Sequence, residues 1–369
     1  MREGGTLATA PFGNDPAKLE RYRAFWSRGN VDRPLVGFTL RGWFPVQEYA
    51  ASRAWPVDGQ LTPEMVDPPA FLGDQAQLLS EGEILDDDII RGDMPAAAVL
   101  PWFCAMVGAE LRILPSSVLG VERHLPWKDL WDVRLDASNP WVRKYLQMAQ
   151  ALVYFADGRF PVSHGALVGS SDILGLLRGH TQSVIDLLTE PEQAARALEH
   201  FTDLFIQITE MLWERVPLWQ GGYFDGMYQL WAPGPICRMQ EDASGVYSPE
   251  LYRRFLQPLD RRIAQRFSHC FVHLHSTSMF LLDAFLEIEA LRCFEINLDA
   301  LGPPVEAMLP YYQQVQAAGR SLLVRGSFTP QQLATLVEGL DPRGLYVLIL
   351  LRDRQESQAL RPIVGLEPA

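Results

Sequence analysis

The chain has 369 residues, 48% hydrophobic and 21% charged, with 32 Lys and Arg against 45 Asp and Glu for a formal net charge of −13. This is the composition of a folded, enzyme-sized protein with a large core, not of a disordered or fibrous chain. The acidic excess, with no basic stripe, argues against a nucleic-acid or anionic-membrane partner.

Residues 1–14 read as a Gly-rich lead-in, and Asp15-Pro16 opens an expected helix over 15–28. A buried strand is expected over 35–40, ending at Arg41-Gly42-Trp43-Phe44-Pro45, and a helix over 62–80 with Thr62 as cap. The stretch 93–121 is apolar but broken by Pro95, Pro101 and Pro115, with a short strand expected at 110–114. The acidic run Asp86-Asp87-Asp88 reads as a solvated loop. From about residue 139 the text alternates. Helical periods fall over 140–156, 181–188, 191–216, 249–267, 278–286, 305–318 and 330–338, and short apolar runs over 160–163, 222–225, 270–275, 293–299, 321–325 and 345–350. Such alternation implies parallel strands joined by crossovers. With 35–40 and 110–114 the count is about eight, and no dinucleotide fingerprint is present, so the expected fold is α/β, a (β/α)8 TIM-type barrel with an N-terminal helical extension. No linker divides the chain, so 1–369 reads as one domain, with 1–30 as lead-in and helix.

Barrel sites lie at the C-terminal ends of strands. There the sequence places His273 and His275, which share a face if the run 270–275 is extended. Paired imidazoles at a strand end suit metal ligation or acid–base work, and equally a pair of hydrogen-bonded structural histidines. Along 293–299 the polar-capable positions Cys293, Glu295, Asn297 and Asp299 alternate with apolar ones, so an inward polar row needs a ligand or mutual hydrogen bonds. Asp225, followed by Gly226, ends another run as a base, a cation ligand or a cap. Trp43 and Trp231 are candidates for an apolar pocket wall or for the core. The cysteines Cys104, Cys237, Cys270 and Cys293 are scattered, as free thiols in a reducing cytosol would be. No secretory leader and no run of about 18 apolar residues is legible, so a cytoplasmic, soluble protein is expected.

Arg33-Pro34-Leu35-Val36 followed by Arg41-Gly42-Trp43-Phe44-Pro45, then Ile89-Ile90-Arg91-Gly92-Asp93, Glu241-Asp242 with Ser248-Pro249-Glu250, His273-Leu274-His275 and Asp341-Pro342-Arg343-Gly344 together resemble the uroporphyrinogen decarboxylase superfamily. The resemblance implies a (β/α)8 barrel and one of two chemistries. In the decarboxylases an arginine binds substrate carboxylates and an aspartate holds the pyrrole nitrogens. Arg41 and Asp93 resemble these, but the tyrosine expected near Gly175 and the histidine expected near the C-terminal strand are missing. In the corrinoid-linked methyltransferases an H-x-C pair and a distant cysteine hold zinc. His273 matches that histidine, His275 stands in place of the cysteine, and no cysteine follows Cys293.

The expectation is therefore a methyltransferase moving a methyl group between a corrinoid protein and a small acceptor. His273 and His275 would hold zinc, with Glu241, Asp225 or Asp299 as a further ligand. Asp225 or Glu241 would accept a proton, and Arg41, Trp43, Asp93, Trp231, Asn297 and Asp299 would bind substrate. The corrinoid would come from a partner, because no cobalamin-binding segment is legible. The alternatives are a metal-free decarboxylase or lyase acting on a small carboxylated substrate, with Arg41 as clamp and His275 as proton donor, and a non-catalytic small-molecule-binding barrel.

Overall fold

The computed structural model describes residues 10–40, 46–96, 100–165 and 167–368. In chain order the strands are β1 Leu35–Leu40, β2 Gln60–Leu61, β3 Leu111–Ile113, β4 Val118–Gly120, β5 Tyr223–Asp225, β6 Leu230–Ala232, β7 Ile236–Gln240, β8 His269–Leu274, β9 Cys293–Asn297, β10 Ser321–Gly326 and β11 Leu345–Leu351. Six of them form a parallel sheet in the order β1-β11-β10-β9-β8-β7. The helices Gln257–Arg266, Val305–Ala317 and Pro330–Gly339 supply the crossovers that parallel neighbours require. The fold is α/β.

Alternation along the strands gives the sheet two different faces. Phe38, Met239, Val272, Ile296, Val324 and Val347 point into the larger apolar cluster, beneath helices such as Pro191–Trp213. Phe271, Cys293, Leu323, Tyr346 and Leu348 point the other way, against Tyr22 and Phe25 of the helix Leu19–Ser27 and against Trp219 and Trp231. That second face is apolar at the strand starts and polar at their ends.

The helical expectations for the second half of the chain are met to within a few residues, except that 278–286 forms a 3-10 turn, Ser276–Leu281, before a short helix, Leu282–Leu286. Helix 62–80 instead begins at Pro68, because the Pro68-Pro69 pair disfavours a helical residue before it. The run 110–114 lies in a separate antiparallel sheet, β2-β3-β4, and 222–225 forms an antiparallel hairpin with β6. The run 160–163 contributes one parallel bridge, Asp93 to Val162.

The reading of Asp86-Asp87-Asp88 as a solvated loop holds for the exposed Asp86 and is corrected for the other two. Asp87 and Asp88 are buried. They accept hydrogen bonds from Phe38 N (2.6 Å) and Val36 N (3.0 Å), and pair with Arg91, Arg33 and Arg21. These carboxylates occupy β1 donors that a neighbouring backbone would otherwise use, which is why the adjoining segment joins by scattered bonds, such as Asp93 N to Pro161 O at 3.0 Å, and not as a regular ladder. Among the described residues no helix is long and apolar enough to cross a membrane.

Candidate metal centre

Register builds the site. Gln240 of β7, His273 of β8 and Glu295 of β9 are parallel partners in one row across the sheet. Past the end of β8 the backbone stays extended through His275, at φ −84° and ψ 154°, before the turn Ser276–Leu281 begins. The two imidazoles therefore stand side by side, as the i, i+2 spacing predicts, with ring centroids 4.7 Å apart.

Each ring is held by a carboxylate on its Nδ1. His273 Nδ1 contacts Glu295 Oε2, and the Tyr228 hydroxyl lies 2.8 Å from the same nitrogen. His275 Nδ1 is 2.9 Å from Asp299 Oδ1, whose Oδ2 accepts from Ser276 N (2.9 Å) and Ser276 Oγ (2.6 Å). A carboxylate only accepts, so both Nδ1 atoms carry the proton, and a ring that holds no second proton presents a lone pair at Nε2. Those two Nε2 atoms are 3.3 Å apart. Two acceptors at that separation repel unless a cation lies between them, either a proton that makes one ring imidazolium or a metal ion.

The donor set fits a metal. Two nitrogens each about 2.0–2.1 Å from a tetrahedral ion stand about 3.3–3.4 Å apart, which matches the observed spacing. Asp242 supplies a third atom: it, His273 and His275 offer ligand atoms within 4.8 Å of one another, with Asp242 Oδ2 4.0 Å from His275 Nε2. Closing that distance takes a shift of under about 1 Å in an exposed side chain. Carboxylates behind both histidines are the usual device for fixing tautomer and ring orientation around a metal.

Electrostatics favour a cation here. Burial alone lowers the affinity of His275 for a proton, but the hydrogen bond to Asp299 and the charges of Asp242, Asp299 and Glu295 outweigh it and raise its pKa above the ordinary 6.5. Burial likewise works to raise the Asp299 pKa, but its bonds to Ser276 and His275 bring it below the ordinary value.

Asp225 and Glu241 stand apart from this cluster. Asp225 is buried and accepts from Tyr228 N at 2.9 Å, shaping the β5–β6 turn that carries Tyr228 to His273. Glu241 lies under the helix Ser170–Arg178 and accepts from Ser170 N (3.1 Å), Ser171 N (2.9 Å) and both seryl hydroxyls. Burial first, and then Asp260, push its pKa up to about 8 despite those donors. Both carboxylates act on the site through what they hold: Tyr228 in one case, the β7 end bearing Asp242 in the other.

Trp231 packs against Tyr22, and its indole donates to Trp219 O at 3.0 Å, on the apolar side of the sheet. Asp93 is buried, its Oδ1 bonded to Met94 N at 2.7 Å and its Oδ2 without a hydrogen-bond partner among the described residues, and burial lifts its pKa to about 7. Asn297 and Asp299 line a cavity of about 510 Å³ whose wall also includes His275. Arg41 and Trp43 lie outside the described residues.

The sequence reading favours Glu241 over its neighbour and leaves Tyr228 out. Asp242 is legible as a strand-end residue only with β7, and no strand is expected over 236–240, which follows the loop Trp231-Ala232-Pro233-Gly234-Pro235. Glu295 was visible in the alternation of β9. In comparisons with known proteins, no family model and no curated sequence matches the chain significantly.

Proposed function

We propose that this chain is a cytoplasmic (β/α)8 enzyme of the uroporphyrinogen decarboxylase superfamily. In this reading it is a methyltransferase that moves a methyl group between a partner's corrinoid and a small acceptor, with a divalent metal, zinc first, at His273, His275 and Asp242. The barrel reading is supported by the six parallel strands and by the backbone bonds that carry the sheet past β1 through residues 88–93 to 161–163. The observation that carries the functional reading is the pair of Nε2 atoms 3.3 Å apart, each ring held from behind by a carboxylate.

When bound, the metal supplies Lewis acidity that makes a thiol, hydroxyl or amine nucleophilic near neutral pH. The chain's own residues do the rest. Glu295, with Tyr228, holds the Nδ1 proton of His273, and Asp299 holds that of His275. The acceptor's proton would pass directly to water at the open edge of the site, where the side chains of His275 and Asp242 are 39% and 37% exposed. The resemblance assigns Arg41 and Asp93 to the substrate's polar end.

The test is elemental analysis of tag-free protein prepared with supplemented zinc, beside His273→Ala/His275→Ala. About one zinc per chain, lost in the double variant, is the expected result. An empty wild-type protein rejects the metal. A second reading, a metal-free decarboxylase, is favoured by one observation: Asp93 is a buried carboxyl with its pKa near neutrality, suited to delivering a proton. It predicts activity that survives chelation and is lost in Asp93→Ala.

A further inference from the structure

The cavity beside the histidine pair has its own chemistry. Its wall is built at the C-terminal ends of β9, β10 and β11, and it shares His275 and Asp299 with the metal cluster. A ligand lying in it can therefore reach that cluster, and about 510 Å³ suits a small molecule. Arg325 stands in the wall only 6% exposed, and among the described residues that line it there is no other Lys or Arg. A guanidinium has five N–H donors in a fixed fork that matches the two oxygens of a carboxylate. In a chain of net charge −13, a buried arginine in a cavity wall is not the edge of a basic surface. Next to it in the parallel register is Asn297, which lines the same cavity and whose Oδ1 is enclosed, with no hydrogen-bond partner among the described residues. An amide carries N–H donors as well, and in a cavity wall beside a guanidinium it suits an anionic ligand. Ser327, exposed at the mouth, adds a hydroxyl.

We infer that this cavity is a subsite for the carboxylate of a small acidic methyl acceptor, paired with Arg325 beside the amide of Asn297, with the acceptor's nucleophilic heteroatom directed toward His275. The last element rests on the metal-centred reading above, whereas the carboxylate subsite stands on the cavity itself.

The experiment is calorimetric titration of the full chain, zinc-loaded and metal-free, with 3-mercaptopropionate and with its neutral counterpart 3-mercapto-1-propanol. Both are repeated on Arg325→Met and on Ser327→Glu. The second variant places a negative charge at the exposed mouth and leaves the buried arginine in place, so it decides the matter if circular dichroism shows Arg325→Met to be misfolded. Binding of the carboxylate at least tenfold tighter than the alcohol, with the preference lost in the folded variants and the alcohol unaffected, is the expected result. Equal binding of the two thiols by zinc-loaded protein overturns the subsite and leaves the metal reading standing. A preserved preference in a protein that takes up no zinc supports the subsite and overturns the metal reading. Binding of neither thiol by either form overturns the subsite.

Discussion

Replacing Glu295 by Gln isolates the carboxylate behind His273. Glu295 is fully buried, its Oε2 contacts His273 Nδ1, and the Tyr228 hydroxyl approaches the same nitrogen at 2.8 Å. The amide keeps the shape and an accepting oxygen, so the ring can hold its orientation, but the negative charge that strengthens Nε2 as a ligand is gone. Losing such a partner costs about 10- to 100-fold in metal affinity, or about 1.4–2.7 kcal/mol. Thermal melts at a fixed free zinc concentration read this directly. At 100 times the wild-type Kd the metal stabilises by about 2.7 kcal/mol. A tenfold weaker site retains about 1.4 kcal/mol and a hundredfold weaker one about 0.4 kcal/mol. The zinc-dependent rise in Tm should therefore shrink by half or more in Glu295→Gln, with competition against a chromophoric chelator giving the Kd itself. If Glu295→Gln keeps the full zinc response while His273→Ala loses it, the argument that this carboxylate tunes the ligand is wrong.

Asp242→Asn should weaken zinc by at least tenfold in the same titration while leaving the metal-free Tm within about 1 °C, because the side chain is exposed. Zinc affinity should fall as pH drops through the raised His275 pKa, starting above 6.5, because a proton and the metal compete for the ring; titrations from pH 8 to 5.5 that show no slope would contradict this. Gly169→Ala should destabilise by about 3 kcal/mol or more, seen as a lowered urea midpoint, because its Cβ would stand 2.0 Å from Gln240 O and 2.3 Å from Glu241 Cδ. Asp93→Asn should stabilise the fold at high pH: with the folded pKa near 7 against an ordinary 3.8, wild-type stability falls as pH climbs between those values and levels off above. The advantage of the variant should grow over that window to at most about 4 kcal/mol, and one that is independent of pH would refute the assignment.

How much of this was legible follows from which residues carry their own pattern. The alternation of β8 and β9 announces a polar row because each strand is apolar on one face, so His273, Glu295 and Asn297 declare their common side without any neighbour. Asp299 and His275 follow from the same extended backbone continued beyond the strands. What the sequence could not announce is pairing between distant segments. Gln240 and His273 become neighbours only through the register of β7 with β8, and β7 hides behind a Pro-Gly-Pro loop and a buried Arg238 that bonds Leu167 O at 3.0 Å. The choice between Glu241 and Asp242 turned on the same blindness. Both residues are carboxylates at a strand end, and what separates them is the helix Ser170–Arg178, unrecognised in a stretch that opens Gly169-Ser170-Ser171. Its N-terminal donors claim Glu241 and so turn Asp242 toward the histidines. The helix also explains why a carboxyl raised to about 8 is held in place there: Asp172 bonds Ala243 N at 2.8 Å, so the backbone on both sides of Asp242 is tied to one helix end. The third ligand atom of the proposed centre is thus positioned by contacts more than 70 residues away in the chain.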